Sequence, residues 1–329
     1  MNRKQFLYLV LAVLLFAATG VLSVRVNRSA VREAEALTEQ AQSIFSPRES
    51  EAPEGPYVAL VDVSGTIVSS SGTALPGDGF NLDETVSFVN SLIEDENNVG
   101  MLLYINSPGG EMGAADTLYY ALMDYKTLTG RPIYCYFDDT ACSGGYYVAM
   151  PADEICANRN CMCVNIGVYI STYNFSGLME RYGVEQVSIK SSENKGIGMA
   201  GTPWTDEQKA IYQSIVDIYY DQFLDVVAEG RGMTKEQVRE RDDGREMLAV
   251  QALEAGFIDA IGRWDTYKAE VLSRFDEGTV LYEPEDTYSV FEEFLYSLRS
   301  AMPSAESREI SQLIDAHSGM VVMAYEGTY

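Results

Sequence analysis

Ser143 lies in a glycine-rich segment whose residue types could support nucleophilic chemistry. The segment reads Ala-Cys-Ser-Gly-Gly-Tyr-Tyr over residues 141–147, and a second glycine motif, Asn-Ser-Pro-Gly-Gly, occupies residues 106–110. Glycines next to a serine let other backbone approach its hydroxyl closely. The earlier Pro-Gly-Gly offers backbone N–H groups that can hold the negative oxygen formed when a carbonyl is attacked. Together the two motifs indicate a serine nucleophile beside an oxyanion hole.

The base that would activate Ser143 has few candidates. The chain contains one histidine, His317 near its C-terminus, so a Ser-His-Asp triad would have to use that residue. A Ser-Lys dyad needs no histidine, and Lys195 lies in a further glycine-bearing segment, residues 190–199. An ordinary lysine is protonated at neutral pH, whereas burial can lower its pKa far enough to leave the amine neutral. The dyad therefore requires a desolvated Lys195 with no carboxylate against it; the alternative is a solvated loop lysine.

The hydrophobic pattern around these motifs alternates between strands and helices. Apolar runs at 57–63, 100–105 and 132–137 are typical of buried strands, and apolar residues recur at helical spacing over 82–93 and 115–122. This order predicts an α/β fold with a mostly parallel sheet and flanking helices. Sites in such sheets lie beyond the carboxyl ends of the strands, where both glycine motifs fall.

Later parts of the sequence predict further helices. Thr205 to Gln208 and Thr234 to Gln237 each have the residues of a capping box, and residues 266–275 are helix-like. The apolar stretch at 320–325 is strand-like. We expect this end to pair with a sheet edge or to lie in the substrate groove.

Three motifs in this order resemble the signal peptide peptidase A family of membrane-bound serine proteases. They are the Asn-Ser-Pro-Gly-Gly, the Ala-x-Ser-Gly-Gly-Tyr-Tyr and a later Lys-x-x-Gly at 195–198, and the resemblance runs from about Tyr57 to about Asp265. The resemblance implies the fold shared by Clp protease and crotonase. It also implies that Ser143 is the nucleophile and Lys195 the general base.

The same resemblance assigns the supporting residues. The backbone N–H groups of Gly110 and Gly144 would form the oxyanion hole, and Asn106 would brace the loop. Asn165 departs from the pattern, because the family usually has Gly-Ser-Ile-Gly-Val where this chain has Val-Asn-Ile-Gly-Val at 164–168. The missing serine is expected to aim the lysine, and the carbonyl of Asn165 could still accept a hydrogen bond from it. Cys142 replaces a common alanine, and we interpret it as a small buried side chain rather than a nucleophile.

The implied function is that of a serine endopeptidase which hydrolyses signal-peptide remnants or other short apolar peptides through an acyl-enzyme. The resemblance implies a homo-oligomer, in which serine and lysine can come from neighbouring subunits, and we expect no cofactor and no metal ion. Two alternatives stay open. One is a non-catalytic scaffold of the same fold that binds peptides or membrane partners, and the other is a crotonase-type acyl-CoA enzyme.

Composition narrows the possible partners. The 329 residues include 47% hydrophobic ones, enough for a sizeable core, and the net charge is −26. So acidic a chain is a poor match for nucleic acid or for anionic lipid headgroups, both of which attract lysine and arginine. The simplest interpretation of the charge is that it keeps the protein soluble.

The N-terminal part predicts a membrane attachment. A short tail (1–5) precedes an uncharged, mainly apolar stretch (6–24), which as a helix would span about 28 Å. We interpret it as an uncleaved anchor, the alternative being a cleaved signal peptide. A stalk (25–56), a catalytic domain (57–275) and an acidic tail (276–329) follow. The resemblance places the catalytic domain outside the cytoplasm.

Five cysteines fall within the catalytic region, at 135, 142, 156, 161 and 163. The last three are close enough in sequence for one disulfide in an oxidising compartment. The spacing fits a metal site poorly, because there is no paired C-x-x-C set and no nearby histidine.

Overall fold

The computed structural model describes residues 52–69 and 80–284. The expected anchor, nearly all of the stalk, His317 and the apolar stretch at 320–325 lie outside these residues. Within the two described ranges, no helix combines the length and the apolar character that crossing a bilayer requires.

A sheet of eight strands forms the centre of this part of the chain. The strands are β1 Tyr57–Ser64, β2 Asn98–Ser107, β3 Ile133–Cys142, β4 Glu154–Ala157, β5 Met162–Val164, β6 Glu246–Leu248, β7 Ala260–Ile261 and β8 Val280–Tyr282. The main order is β6-β5-β3-β2-β1-β8, and β4 pairs with both β3 and β7. The β5–β6 pair is antiparallel, and the other strand pairs are parallel. The predicted mostly parallel sheet is confirmed.

Eight helices accompany the sheet in the described ranges. They are α1 Leu82–Glu94, α2 Met112–Thr129, α3 Gly144–Tyr147, α4 Ser176–Arg181, α5 Asp206–Arg231, α6 Lys235–Arg241, α7 Ala249–Ala255 and α8 Trp264–Leu272. Both predicted capping boxes are present, with Thr205 starting α5 and Thr234 starting α6. Helix α8 begins two residues before the predicted start and ends three before the predicted end.

Helices cover both faces of the sheet. On one face, β1, β2 and β3 pack with α1, α2 and α5 in the larger apolar core. On the other face, Val58, Leu102 and Tyr136 pack against Tyr267 and Val271 of α8. Because β1 and β2 are buried on both sides, their sequences are continuous apolar runs rather than alternating ones.

Strand β8 pairs in parallel with β1, with Tyr57 opposite Val280 and Ala59 opposite Tyr282. It lies beyond residue 275, where sequence analysis ends the catalytic domain. The ring of Tyr282 packs edge-on against that of Tyr57, with 5.2 Å between the ring centroids. The short strand thereby extends the central sheet at the β1 edge.

All five cysteines are buried free thiols. The close spacing of Cys156, Cys161 and Cys163 would allow one disulfide, but none of these residues forms one. Cys161 directly precedes β5 and Cys163 lies on it. Pairing with β3 fixes the backbone of this strand, and both thiols are buried.

Candidate active site

Ser143 occupies the sharp turn between β3 and α3. Its backbone has φ 52° and ψ −118°, in a region that residues other than glycine seldom adopt. The Ser143 N–H donates to the carbonyl of Val164, 2.8 Å away, and the Ser143 carbonyl accepts from the N–H of Tyr147 at 2.9 Å. The residue is 7% exposed. A strained serine at a strand-to-helix turn is the geometry of a nucleophile elbow, and such strain persists only where the surroundings fix it.

Two tyrosines of α3 hold the far side of this elbow. Tyr146 is buried and donates its hydroxyl to the carbonyl of Phe257 at 2.7 Å. Tyr147 is buried as well and donates to Asp116 Oδ1 at 2.6 Å. Since α3 begins directly after Ser143, anchoring these two rings to α2 and to the segment after α7 fixes the direction in which the chain leaves the turn.

The Pro-Gly-Gly loop after β2 lies directly against the elbow. Gly109 has φ 101°, and a Cβ added to it would lie 2.7 Å from Gly144 N and 2.9 Å from Ser143 Cβ. Only a glycine allows this approach. Ser107 shapes the loop, because its Oγ accepts from Gly109 N at 3.1 Å and donates to the Gly65 carbonyl at 2.6 Å.

The backbone segments at Gly110 and Gly144 lie close together. A Cβ added to Gly144 would be 3.2 Å from Gly110 N, and one added to Gly110 would be 1.9 Å from the Ile67 carbonyl oxygen. Neither N–H donates to another residue within the described ranges. Two adjacent, unused backbone donors next to a serine can stabilise an oxyanion. The structure thus brings together Ser143, Gly110 and Gly144.

Asn106 bridges β2 and β3 where their pairing shifts register. Its Oδ1 accepts from the N–H of Thr140 at 3.3 Å, and its backbone carbonyl accepts from Gly65 N at 3.0 Å. These are contacts that a bracing residue would make. The role assigned to Asn106 stays a prediction.

Asn165 sits in a second strained turn, which follows β5. Val164 has φ 75° and Asn165 has φ 56°. The Asn165 side-chain amide donates to the carbonyl of Gly244 at 2.7 Å, which leaves its Oδ1 as the group that could accept from a lysine. The replacement at position 165 is visible in the sequence, whereas the strain at Val164 is not.

Asp242 is a residue of this site that sequence analysis missed. It is 4% exposed, and its Oδ2 accepts from Ile166 N at 3.1 Å and Gly244 N at 3.2 Å. Its Oδ1 is buried and has no hydrogen-bond partner among the residues described. Burial raises the pKa of this carboxyl to about 6. In the sequence, Asp242 and Asp243 precede a glycine, a pattern typical of a solvated turn.

Lys195 lies on an exposed stretch between β5 and α5. Its backbone N–H donates to Ser192 O at 3.2 Å, and its side chain is exposed. That side chain makes no hydrogen bond or ion pair with any described residue. A single chain therefore meets one requirement of the dyad, freedom from carboxylates, and does not meet the other, which is desolvation.

Cys142 has the buried position that sequence analysis assigned to it. Its Sγ contacts the Met162 carbonyl at 3.4 Å, and burial raises the pKa of the thiol well above its usual range. Since the thiolate is the reactive form of cysteine, this environment disfavours Cys142 as a nucleophile.

Comparison with known proteins relates this chain to proteases. The model of peptidase family S49 matches residues 126–274. A protein of Enterococcus faecium named as signal peptide peptidase SppA is 33% identical over 235 residues, which cover 70% of this chain and 67% of that protein. A protease of Synechocystis is 32% identical, covering 62% of this chain and 69% of that protein. Protease 4 of Haemophilus influenzae is 28% identical, and the match covers 36% of its length.

Gly110→Ala tests the proximity of the two glycine segments. The added methyl group would overlap the Ile67 carbonyl, so the loop must shift and take its N–H away from Gly144. We expect fluorophosphonate labelling of Ser143 to slow by at least about tenfold. Gly113→Ala is the matched control, because a Cβ there meets open space on α2, and it should label at the wild-type rate. Wild-type labelling of Gly110→Ala would contradict the placement of this donor.

Proposed function

Because the chain belongs to the signal peptide peptidase SppA family of serine proteases, peptidase family S49, we propose that it is a membrane-anchored endopeptidase. Its substrates are signal-peptide remnants or other short apolar peptides. Residues 6–24 anchor it, with the catalytic domain outside the cytoplasm. Hydrolysis proceeds through an acyl-enzyme on Ser143, with Lys195 as the base.

One observation supports this function above the others. A strained serine, held almost fully out of solvent, lies against two adjacent backbone N–H groups that have no partner within the described ranges. Such donors stabilise charge that develops on a carbonyl oxygen under attack, and no reorganisation is needed when it develops.

The reaction then follows from the groups present. Neutral Lys195 Nζ takes the proton of Ser143 Oγ while that oxygen attacks the peptide carbonyl, and Gly110 N and Gly144 N hold the oxyanion. The peptide C–N bond breaks as the Lys195 ammonium protonates the leaving amine. Lys195 next takes a proton from water, whose oxygen attacks the acyl group. The new acid leaves when the C–O bond to Ser143 breaks, and Lys195 returns the proton to Ser143 Oγ.

The side chain of Lys195 is exposed in a single chain, and we propose that a second copy of the chain covers it. The arm, residues 169–199, carries Lys195 and exposes many large apolar side chains. These are Tyr169, Tyr173, Phe175, Leu178, Tyr182, Val184, Val187, Ile189 and Met199. Apolar surface of this extent is typical of a protein interface. Covering the arm in a homo-oligomer would bury these side chains and desolvate the lysine together.

The exposed Lys195 also favours a second candidate, a non-catalytic scaffold that binds peptides through the same arm. Asn165 favours the same candidate, since it stands where the family usually has the serine that is expected to aim the lysine. A crotonase-type acyl-CoA enzyme has no comparable support, because its chemistry does not use a serine elbow. Turnover of an apolar peptide separates the protease from both alternatives.

Ser143→Ala and Lys195→Ala test the dyad directly. Each removes one of the two atoms between which the proton moves, so hydrolysis of a fluorogenic apolar peptide should fall below detection while the thermal unfolding temperature stays near that of wild type. Lys190→Ala is the control, because Lys190 lies on the same arm and should be dispensable. Substantial turnover by folded Lys195→Ala protein would end the dyad proposal.

The double variant Val187→Asp, Ile189→Asp tests whether the arm lies in an interface. Both side chains are among the most exposed apolar groups of the arm, and two carboxylates would be costly to bury between copies. In detergent, light scattering should show a lower mass than wild type, with loss of peptide turnover. Leu128→Asp, which alters an exposed leucine on α2, should keep the wild-type mass. An unchanged mass for the double variant would exclude the arm from the interface.

A further inference from the structure

The turn after β5 is strained at two successive residues. Val164 is β-branched and buried, yet it has φ 75°, and Asn165 follows with φ 56°. A β-branched residue in the left-handed region is an outlier that the surrounding structure must enforce. The residues that contact this turn are therefore those that enforce its strained backbone.

A short segment before and within β6 supplies those contacts. Val164 pairs with Glu246 across the antiparallel β5–β6 ladder. The Asn165 side chain donates to Gly244 O, and Ile166 N donates to Asp242 Oδ2. Asp242 Oδ2 also accepts from Gly244 N, so one carboxylate oxygen joins the two segments. Removing the carboxylate would leave the Ile166 N–H without its partner in a buried place.

The turn also holds the backbone of Ser143. The carbonyl of Val164 accepts the N–H of Ser143 at 2.8 Å, so the two strained backbones are tied by one hydrogen bond. The peptide group that follows this carbonyl belongs to Asn165, and the next N–H is the one that Asp242 binds. A shift of the turn would thus move the point that fixes Ser143.

We propose that Asp242 is a positioning residue for Ser143, acting through the turn Val164–Ile166. The proposal rests on the assignment of Ser143 as the nucleophile and adds a residue to that site. The hydrogen bonds of Asp242 go to the N–H groups of Ile166 and Gly244, so it acts on Ser143 only through the backbone. It fixes the backbone from which the hydroxyl is presented.

The surroundings of Asp242 make its effect depend on pH. Tyr146 of α3 and Tyr220 of α5 face it, and Asp243 and Arg245 flank it on its own segment. Burial raises its pKa to about 6, so the carboxylate is ionised at pH 7 and protonated at pH 5. An ionised acceptor binds the N–H groups of Ile166 and Gly244 more strongly than a neutral one does. The positioning of Ser143 by Asp242 therefore weakens as the pH falls through about 6.

The effect on stability has the opposite sign. A carboxyl whose folded pKa exceeds its unfolded value of 3.8 binds its proton more tightly in the native state. Its contribution to the free energy of unfolding is largest below about pH 4 and is lost as the pH rises to about 6. Between these limits stability declines with rising pH while positioning of Ser143 improves. A purely structural role for Asp242 would make both change together.

The experiment measures the second-order rate constant for fluorophosphonate labelling of Ser143, from pH 5 to pH 8, in the full-length protein in detergent. Asp242→Ala should label at least about tenfold more slowly than wild type at pH 7, because a buried donor loses its acceptor. Asp242→Asn keeps a neutral acceptor oxygen. The wild-type rate should exceed that of Asp242→Asn several-fold at pH 8 and approach it at pH 5. Any pH effect that is common to the two proteins cancels in this ratio.

Asp243→Asn is the matched control, because Asp243 is the exposed neighbour paired with Arg245, and its ratio to wild type should not change with pH. If the ratio of the wild-type rate to the Asp242→Asn rate did not change with pH, the proposal would be overturned. This test holds even if Asp242→Ala does not fold. Failure of the nucleophile assignment looks different: Ser143→Ala would then label as wild type does. If Ser143→Ala does not label, the nucleophile assignment stands, and the Asp242 variants alone test the positioning proposal.

Discussion

Ser143 can keep φ 52° only because three neighbours fix its backbone at once. The Val164 carbonyl accepts its N–H, the buried tyrosines of α3 fix the chain that follows, and the Pro-Gly-Gly loop lies so close that a side chain at Gly109 would clash with it. Strain of this kind persists where the surrounding structure determines the backbone more strongly than local preference does. The placement of Gly144 N and the orientation of the Ser143 hydroxyl both depend on this one conformation.

The parallel sheet explains why these neighbours meet. Strands β2, β3 and β5 all end at one edge, so the loop after β2, the elbow after β3 and the turn after β5 become adjacent without any long connection. Strand β6 then runs antiparallel to β5 and brings Asp242 to the same edge. The large apolar core behind the sheet holds the strand ends in register, and the chemistry needs only short segments beyond them.

Much of this arrangement follows from the sequence. Continuous apolar runs identify β1, β2 and β3 because strands buried on both faces have no polar side, and the capping boxes at Thr205 and Thr234 identify helix starts by local hydrogen bonding. The strained turn at Val164 was not predictable, since a valine favours extended backbone and only tertiary contacts override that preference. Asp242 was missed for a similar reason: its burial depends on residues far away in sequence. The exposure of Lys195 is likewise a property of the whole arm, which local spacing does not reveal.

The single chain places a strained Ser143 beside two glycine N–H groups and leaves the side chain of Lys195 exposed. We propose that a neighbouring copy completes the site by covering the arm, so that one subunit contributes Ser143 and another contributes Lys195. This division would link assembly to activity, because an isolated chain brings only one of the two residues to each site.

The most direct test mixes the two inactive variants, Ser143→Ala and Lys195→Ala, in one preparation and measures peptide turnover after co-assembly. If serine and lysine come from different copies, an equal mixture contains interfaces with both intact residues, and turnover should return to roughly a quarter of the wild-type rate for random head-to-tail pairing. Mixed assemblies that form and remain inactive would contradict the shared site.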